Sequence, residues 1–429
     1  MNLELTPFLA DLQDRQLMAQ ATDLNGLSAK MDQGPCSAYI GFDPTADSLH
    51  VGSLVPLLAL QRWQVAGHRP IALVGGATGL IGDPSGKTAE RQLNTNEVVE
   101  MWTQRLRSQI EPFLDFSGNN PAQMANNLDW FGGMGALQFL RDVGKLVSVN
   151  TLMGREAVRQ RLDREGVGIS YTEFSYGLLQ AYDFAHLYRH HGCCLQLGGS
   201  DQWGNITLGL DMVRRLHGGE AFGLTLPLVT KSDGSKFGKS EGGNVWLSAK
   251  KTSPYAFYQF WLSTADEDVE RFLNFYTLLN PRDAFETVQA DRESGGKPKA
   301  QGMLADLVTG MVHGQDALRS AQRITQALFS RDVNGLCEAD FAQLAMDGLP
   351  TTQLAQEANG STGILANILV SAGLADSKNQ ARSLLRQQAI TVNGRAAADV
   401  QDLGVTHRLH GRYTLLQRGA KRHALVVWA

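Results

Sequence analysis

Apolar and polar positions follow a readable order along the first 245 residues. Ser37–Phe42 (SAYIGF) is a short, nearly continuous apolar run and predicts a buried strand. Asp43-Pro44-Thr45 supplies a turn, and an apolar-periodic stretch reaching about Gly67 predicts a helix. Residues 70–74 (PIALV) read as the next strand, closed by the glycine-rich stretch 75–86. Strand, helix and strand at this spacing make a βαβ unit with a right-handed crossover. The pattern returns with a strand at 194–197, a turn at Gly198-Gly199-Ser200, a helix at 201–216 and a strand at 224–229. The fold class expected is α/β: a doubly wound, parallel-sheet (Rossmann-like) domain over 1–245, with a mostly helical insertion at about 97–165. In such folds ligands sit at the carboxyl ends of the strands, where these glycine-rich turns fall.

Residues 246–330 keep a helical pattern and are expected to form a separate helical domain. Periodicity fades over 331–360, where Asn334-Gly335, Gly348-Leu349-Pro350 and Asn359-Gly360 are turn signals, so this stretch is expected to be a linker. From 361 to 429 two short helices turn into Ile390-Thr391-Val392, the outline of a small α+β domain.

Length and composition fit this division. A chain of 429 residues exceeds one core at about 100–200 residues per domain. Its 43% hydrophobic and 19% charged residues match a folded soluble protein. No stretch offers roughly 18 consecutive apolar residues, so no membrane span is expected, and the opening MNLELTPFLADLQDR lacks the pattern of a signal peptide. The four cysteines (Cys36, Cys193, Cys194, Cys337) include no CxxC pair and no zinc spacing. Reduced thiols in a cytoplasm and no structural metal are therefore expected. The net charge of −4 hides an asymmetry: residues 361–429 carry nine Lys/Arg against three acids, +6, whereas the rest carries −10. A basic tail on an acidic body is the footprint of a phosphate-binding appendage.

Two phosphate motifs fail on spacing. GDPSGKT (82–88) has three residues between its glycines where a P-loop needs four, and 76–82 reads GxxGxxG rather than GxGxxG. More informative is Thr45-Ala46-Asp47-Ser48-Leu49-His50-Val51-Gly52-Ser53, which opens a helix just after the first strand. Free amides at a helix start attract phosphate, Gly52 lets a ring approach the backbone, and Thr45 and His50 can donate to phosphate oxygens. Lys231-Ser232-Asp233-Gly234-Ser235-Lys236-Phe237-Gly238-Lys239-Ser240 is a cationic, glycine-containing loop suited to polyphosphate. A third pattern places Tyr176, Gln180 and Asp183 at i, i+4 and i+7, one face of a helix with polar groups where apolar ones are usual.

HVGS and KFGKS, in this order and nearly two hundred residues apart, resemble the HIGH-type and KMSKS-type signatures of class I aminoacyl-tRNA synthetases. The block 172–184 (TEFSYGLLQAYDF) and GGSDQWGN (198–205) resemble the tyrosine-binding segments of the bacterial-type tyrosyl enzymes. The likeness runs from YIGFDPTADSLHVGS through GGATGLIGDPSGK into the tail, which resembles the small RNA-binding domain of the ribosomal-protein S-four type. The resemblance implies a ligase that makes tyrosyl-adenylate from tyrosine and ATP and passes tyrosine to tRNA. Magnesium would accompany the nucleotide, and a homodimer would form through the insertion. It also implies roles. Tyr39 and Asp183 would bond the phenol; Asp83, Tyr176 and Gln180 would hold the α-ammonium. Gly41, Asp43, Gly52, Ser53, Gly199, Asp201 and Gln202 would line the nucleotide. Thr45, His50, Lys87, Arg91, Lys236 and Lys239 would grip its phosphates, and Arg382 and Arg386 would meet tRNA. The chain departs from the pattern where Ser53 replaces the second histidine of the HIGH-type motif and where Ile40 stands beside Tyr39. A synthetase scaffold that only binds RNA and a tryptophan-specific sister enzyme are the competing expectations. The pairing of Tyr39 with Asp183 suits a phenol better than an indole, which only donates.

Overall fold

The computed structural model describes residues 5–85, 93–163, 168–234, 237–240, 243–296, 298–354, 363–397, 400–419 and 421–428. It divides into two compact units, Met1–Asn244 with Asp266–Ser294, and Val245–Ala265 with Gly295–Ala429.

The first unit is built on a six-stranded sheet: β1 (Gln20–Ala21), β2 (Ser37–Phe42), β3 (Arg69–Val74), β4 (Gln123–Asn126), β5 (Cys193–Gly199) and β6 (Phe222–Leu226), in the order β1-β6-β5-β2-β3-β4. All neighbours are parallel except β1, which runs antiparallel on the edge beside β6. The order reverses between β2 and β5, and this is the crevice where doubly wound sheets bind ligands. The crossover helix Leu54–Val65 is apolar nearly all round and buries Leu54, Val55, Leu57, Leu58, Leu60 and Trp63, as a helix enclosed by its own unit must. The long helix Tyr171–His191 starts where the Ser170 hydroxyl accepts from the Glu173 amide and stops at left-handed Gly192, with Arg189, His190 and His191 in its last turn.

Two expected boundaries differ here. The insertion at 97–165 is largely helical, yet it also contributes β4, which pairs with β3 from Ile71↔Gln123 to Val74↔Asn126. Its residues QMAN lie on a half-exposed edge and carry no apolar run to announce a strand. The helical stretch 246–330 is split, because Val269–Tyr276 belongs to the first unit. Buried Arg62 donates to the carbonyls of Asn274, Phe275 and Thr277, and buried Arg15 to those of Asn274 and Thr277. Two guanidinium groups thus sit on the carbonyl end of that helix, where positive charge is favoured.

In the second unit, helix Ala300–Ser330 is two helices that fold back at Gly314 (φ 81°, ψ 169°), and Gln322 reaches across to Asp306 at 2.7 Å. A five-stranded sheet runs in the order Arg395–Ala396, Ile390–Val392, Tyr413–Arg418, Arg422–Trp428, Thr351–Leu354. Strand alternation sends its side chains both ways. Leu416, Val426 and Trp428 pack with the helices Leu365–Ser371 and Lys378–Arg386. Tyr413, Leu415, Leu425 and Val427 pack with Tyr255, Ile324, Leu328 and Phe341. The stretch expected as a linker therefore carries structure. Glu338–Gln343 is helical, Phe341 stacks on Tyr413 with centroids 5.3 Å apart, and Thr351–Leu354 adds a parallel strand beside the last one. Its Asn-Gly and Gly-Leu-Pro signals mark turns between short elements, not an absence of elements.

Candidate active site

The crevice between β2 and β5 opens into a cavity of about 310 Å³. Among its lining residues are Tyr39, Gly41, Asp43, Thr45, Asp83, Tyr176, Gln180, Asp183, Gly199, Asp201 and Gln202, eleven positions singled out in the sequence. They arrive from separate elements. β2 delivers Tyr39 and Gly41 and the turn after it Asp43 and Thr45; β5 delivers Gly199 and the turn after it Asp201 and Gln202; one face of Tyr171–His191 delivers Tyr176, Gln180 and Asp183.

Asp43 is the hub of one hydrogen-bond network. Its Oδ1 accepts from the Thr78 hydroxyl at 2.6 Å and its Oδ2 from the Tyr176 hydroxyl at 2.7 Å. Gly75 is required beside it, since a Cβ there would collide with Asp43 and Thr78. Asp83 belongs to a second network: Oδ1 accepts from the Ser85 amide at 2.9 Å and Oδ2 from Gln202 Nε2 at 2.8 Å. Gln202 Oε1 in turn accepts from Asn205 Nδ2 at 2.9 Å.

Asp183 lies at the closed end, 2% exposed. Burial pushes its carboxyl up to about 8, against the hydrogen bonds from Asn127 and Trp130 that favour the ionised form, and nearby Asp43 raises it further. Asn127 Nδ2 donates to Oδ2 at 3.1 Å and Trp130 Nε1 to Oδ1 at 2.9 Å. Tyr39, 1% exposed, has a phenol raised well above its usual range by burial and then by Asp183. Its hydroxyl has no hydrogen-bond partner among the described residues, and the side-chain amide oxygen Oε1 of Gln196 on β5 has none either. Buried polar atoms without partners are expensive, so a cavity holding two of them is shaped for a polar guest. Burial, then Asp83, also raises Asp201.

The two signature segments meet in space. His50 Nδ1 accepts from the Gly52 amide at 3.0 Å and caps the turn Val51–Ser53. In a neutral ring this leaves the proton on Nε2. Gly238 (φ 87°) of the KFGKS segment lies against Val51; a Cβ there would stand 3.0 Å from Val51 Cγ2. Gly52 and Ser53 sit beside this contact, outside the cavity lining. Lys87, Arg91 and Lys236 fall outside the described residues, and of Lys239 only the backbone is described, paired with Asn244.

Several residues that support the lining escaped the sequence reading. Asn127 and Trp130 lie in the insertion, more than fifty residues from Asp183, and nothing in their spacing links them to it. Arg155 packs its guanidinium where a Cβ on Gly177 would be, which accounts for a glycine inside a long helix at a cost of about 1 kcal/mol. Asp83 and the Tyr176 hydroxyl lie near it.

In the second unit Arg382 and Arg386 are exposed on the helix Lys378–Arg386. Not every basic residue of the tail is free for a partner. Arg418 donates to the Leu374 carbonyl at 2.9 Å, and Arg408 lies 4.3 Å over the Trp428 ring.

Comparison with known proteins agrees with this geometry. Residues 31–330 match the family model described as "tRNA synthetases class I (W and Y)", and residues 340–426 the "Tyrosine--tRNA ligase SYY-like C-terminal domain". The chain is 56% identical over 422 residues to the tyrosine–tRNA ligase of Yersinia enterocolitica, covering 98% of both chains, and equally similar to that of Yersinia pseudotuberculosis. Among solved structures, the C-terminally truncated mitochondrial tyrosyl-tRNA synthetase of Aspergillus nidulans superposes with a TM-score of 0.68 at 28% identity, over 75% of this chain and 94% of that one. A tryptophanyl-tRNA synthetase from Plasmodium falciparum shares the fold, with a TM-score of 0.54 at 14% identity over 79% of this chain and 88% of that one. With one family model spanning 300 residues and a near full-length likeness at 56% identity, the chain belongs to the tyrosine–tRNA ligase family of class I tRNA synthetases.

Proposed function

We propose that this chain ligates tyrosine to its tRNA in two steps at the β2–β5 crevice. The observation that carries the reading is the unpartnered Tyr39 hydroxyl, buried in the same cavity as Asp183. A tyrosine phenol can accept from one and pair with the other, whereas phenylalanine leaves the Tyr39 hydroxyl without a partner and an indole can only donate. Asp83, Tyr176 and Gln180 hold the α-ammonium at the polar side of the cavity.

The α-carboxylate of tyrosine is ionised at neutral pH, with a reference value of about 3.3–3.7, so it needs no general base. It attacks the α-phosphorus of ATP in line, the bond to the bridging oxygen breaks, and pyrophosphate leaves. The protein positions the reactants and stabilises phosphate charge. Thr45 and the His50 Nε2–H face the phosphates, joined by Lys87, Arg91, Lys236 and Lys239, while Gly41, Asp43, Gly199, Asp201 and Gln202 line the nucleotide. Magnesium would accompany ATP and would help neutralise the charge of its phosphates. A ribose hydroxyl at the tRNA 3′ end then attacks the adenylate carbonyl and releases AMP.

The domain reading is a catalytic unit of residues 1–244 with 266–294, helices over 245–265 and 295–330, and an RNA-binding module over 361–429, with Arg382 and Arg386 on tRNA phosphates. A homodimer in the cytoplasm completes it. In support of the dimer, Leu128, Leu137, Leu140, Val149, Met153 and Leu162 of the insertion are exposed large apolar side chains, the kind of surface that marks a protein contact.

Amino-acid-dependent ATP–pyrophosphate exchange, run with all twenty amino acids and followed by tRNA charging, tests the reading. Exchange with tyrosine alone is expected. Exchange driven by tryptophan would overturn the specificity, and RNA binding without any exchange would leave a non-catalytic scaffold. Sedimentation of the purified chain tests the dimer.

A further inference from the structure

The indole of Trp130 makes two contacts at right angles in purpose. Its edge donates from Nε1 to Asp183 Oδ1 at 2.9 Å. Its face lies on the imidazole of His186, with ring centroids 4.3 Å apart and planes 18° from parallel. His190 packs on that same imidazole at 4.4 Å. Asp183, His186 and His190 stand at i, i+3 and i+7 on the helix Tyr171–His191, so they share one face of it. Trp130 comes from elsewhere, the four-residue helix Leu128–Phe131. One turn of helix cannot hold a side chain in place by itself. The indole is only partly buried, so its orientation depends on what it stacks against.

We propose that His186 is a positioning residue for tyrosine recognition: by stacking on Trp130 it fixes the indole N–H on Asp183. The carboxylate is thereby held at one angle towards the cavity. The required property is a flat, uncharged face. Burial, then His190 and His191, push the His186 imidazole down to about 4, so the ring is neutral at working pH. Tyr182 and His191 lie farther from the ring, at 6.3 and 6.4 Å. This role rests on the reading of Asp183 as the partner of the substrate phenol.

The test is tyrosine-dependent ATP–pyrophosphate exchange with the full-length enzyme and four variants. His186→Ala removes the stack and is expected to raise the KM for tyrosine about 3- to 10-fold, the scale of one aromatic contact. The kcat and the KM for ATP should stay within about twofold, and phenylalanine should compete better. His186→Leu, which fills the space without a flat face, should behave alike and serves where the alanine variant folds poorly. His186→Phe restores the face and should return the tyrosine KM to near normal. A normal KM in the leucine variant overturns the proposal, as does a phenylalanine variant as impaired as the alanine one. Asp183→Ala separates the two readings. If it is impaired while the His186 variants are normal, only the positioning role fails; if it uses tyrosine normally, the phenol pocket fails and the proposal with it.

Discussion

The cavity at β2–β5 and the basic surface of the second unit use charge in opposite ways. In the cavity, charge is tied down: Asp43, Asp83 and Asp183 each accept hydrogen bonds from named neighbours, and burial lifts Asp183 far from its usual range. On the second unit, charge is plentiful and exposed: Arg382, Arg386, Arg395, Arg412, Lys421 and Arg422 face solvent over a sheet whose two faces are packed with apolar side chains. Buried, preorganised groups discriminate a small substrate by what they leave unpaired. Exposed cations attract a polyanion through counterion release and carry little geometric information. The difference predicts that cavity substitutions change which substrate reacts and how fast, whereas surface substitutions change how binding depends on salt.

The largest effect is expected on the phosphate side of the site. Alanine at Lys236 or Lys239 should lower the adenylation rate by about 10²–10³, the scale for losing one preorganised donor in the transition state. Tyrosine binding should barely change. Single-turnover formation of tyrosyl-adenylate measures both, and weak tyrosine binding with a normal rate would contradict the assignment.

Asp183→Ala comes next. It leaves the Asn127 amide and the Trp130 N–H facing a gap. Leaving buried donors without an acceptor costs about 1–3 kcal/mol, so kcat/KM for tyrosine should drop by about 10- to 100-fold.

On the second unit the effects are smaller and of another kind. Arg382→Ala and Arg386→Ala should each weaken tRNA charging several-fold and flatten its salt dependence, by roughly 0.9 in log–log slope per lost phosphate contact on a duplex. Pyrophosphate exchange should be unaltered. Arg418→Ala is the matched control. Its guanidinium serves the Leu374 carbonyl, so the melting temperature should fall while the salt slope stays put. Cutting the chain near residue 360 is a poor version of this experiment. It would strip Tyr413, Leu415, Leu425 and Val427 from Ile324, Leu328 and Phe341 and expose their shared core.

The same cavity makes stability depend on pH. A carboxyl whose folded value is raised binds its proton more tightly in the folded than in the unfolded chain. Asp183, at about 8 against an ordinary 3.8, therefore lowers stability as pH rises from about 4 through about 8, and adds no further slope above that. Asp201, also raised, acts in the same direction. Asp183→Asn cannot titrate, so its melting temperature should decline less over that window. An identical decline in both proteins would remove Asp183 as a source.

Much of the catalytic unit was legible before any coordinates, for a physical reason. Apolar runs at strand length and turn residues at strand ends are local signals, and β2, β3, β5 and β6 announced themselves through them. Tyr176, Gln180 and Asp183 were legible because helix periodicity alone puts them on one face. β4 was not: QMAN is an edge strand whose only qualification is the neighbour it pairs with. The folded stretch 338–354 was missed likewise, since Phe341 and Thr351–Leu354 acquire meaning only against Tyr413 and the final strand.

What the sequence determined by itself was the chemistry available and the faces that would present it: the phenol of Tyr39, the carboxyls of Asp83 and Asp183, the HVGS turn, the lysine-bearing loop and the basic tail. What only the tertiary structure decided was which of these would meet. It drew Asn127 and Trp130 out of the insertion onto Asp183, set Gly238 against Val51 and seated Arg155 at Gly177. It also separated the basic residues that face solvent from Arg408 and Arg418, which serve the fold. Propensity and periodicity act over a few residues, whereas burial and hydrogen bonding between distant segments exist only once the chain has closed on itself.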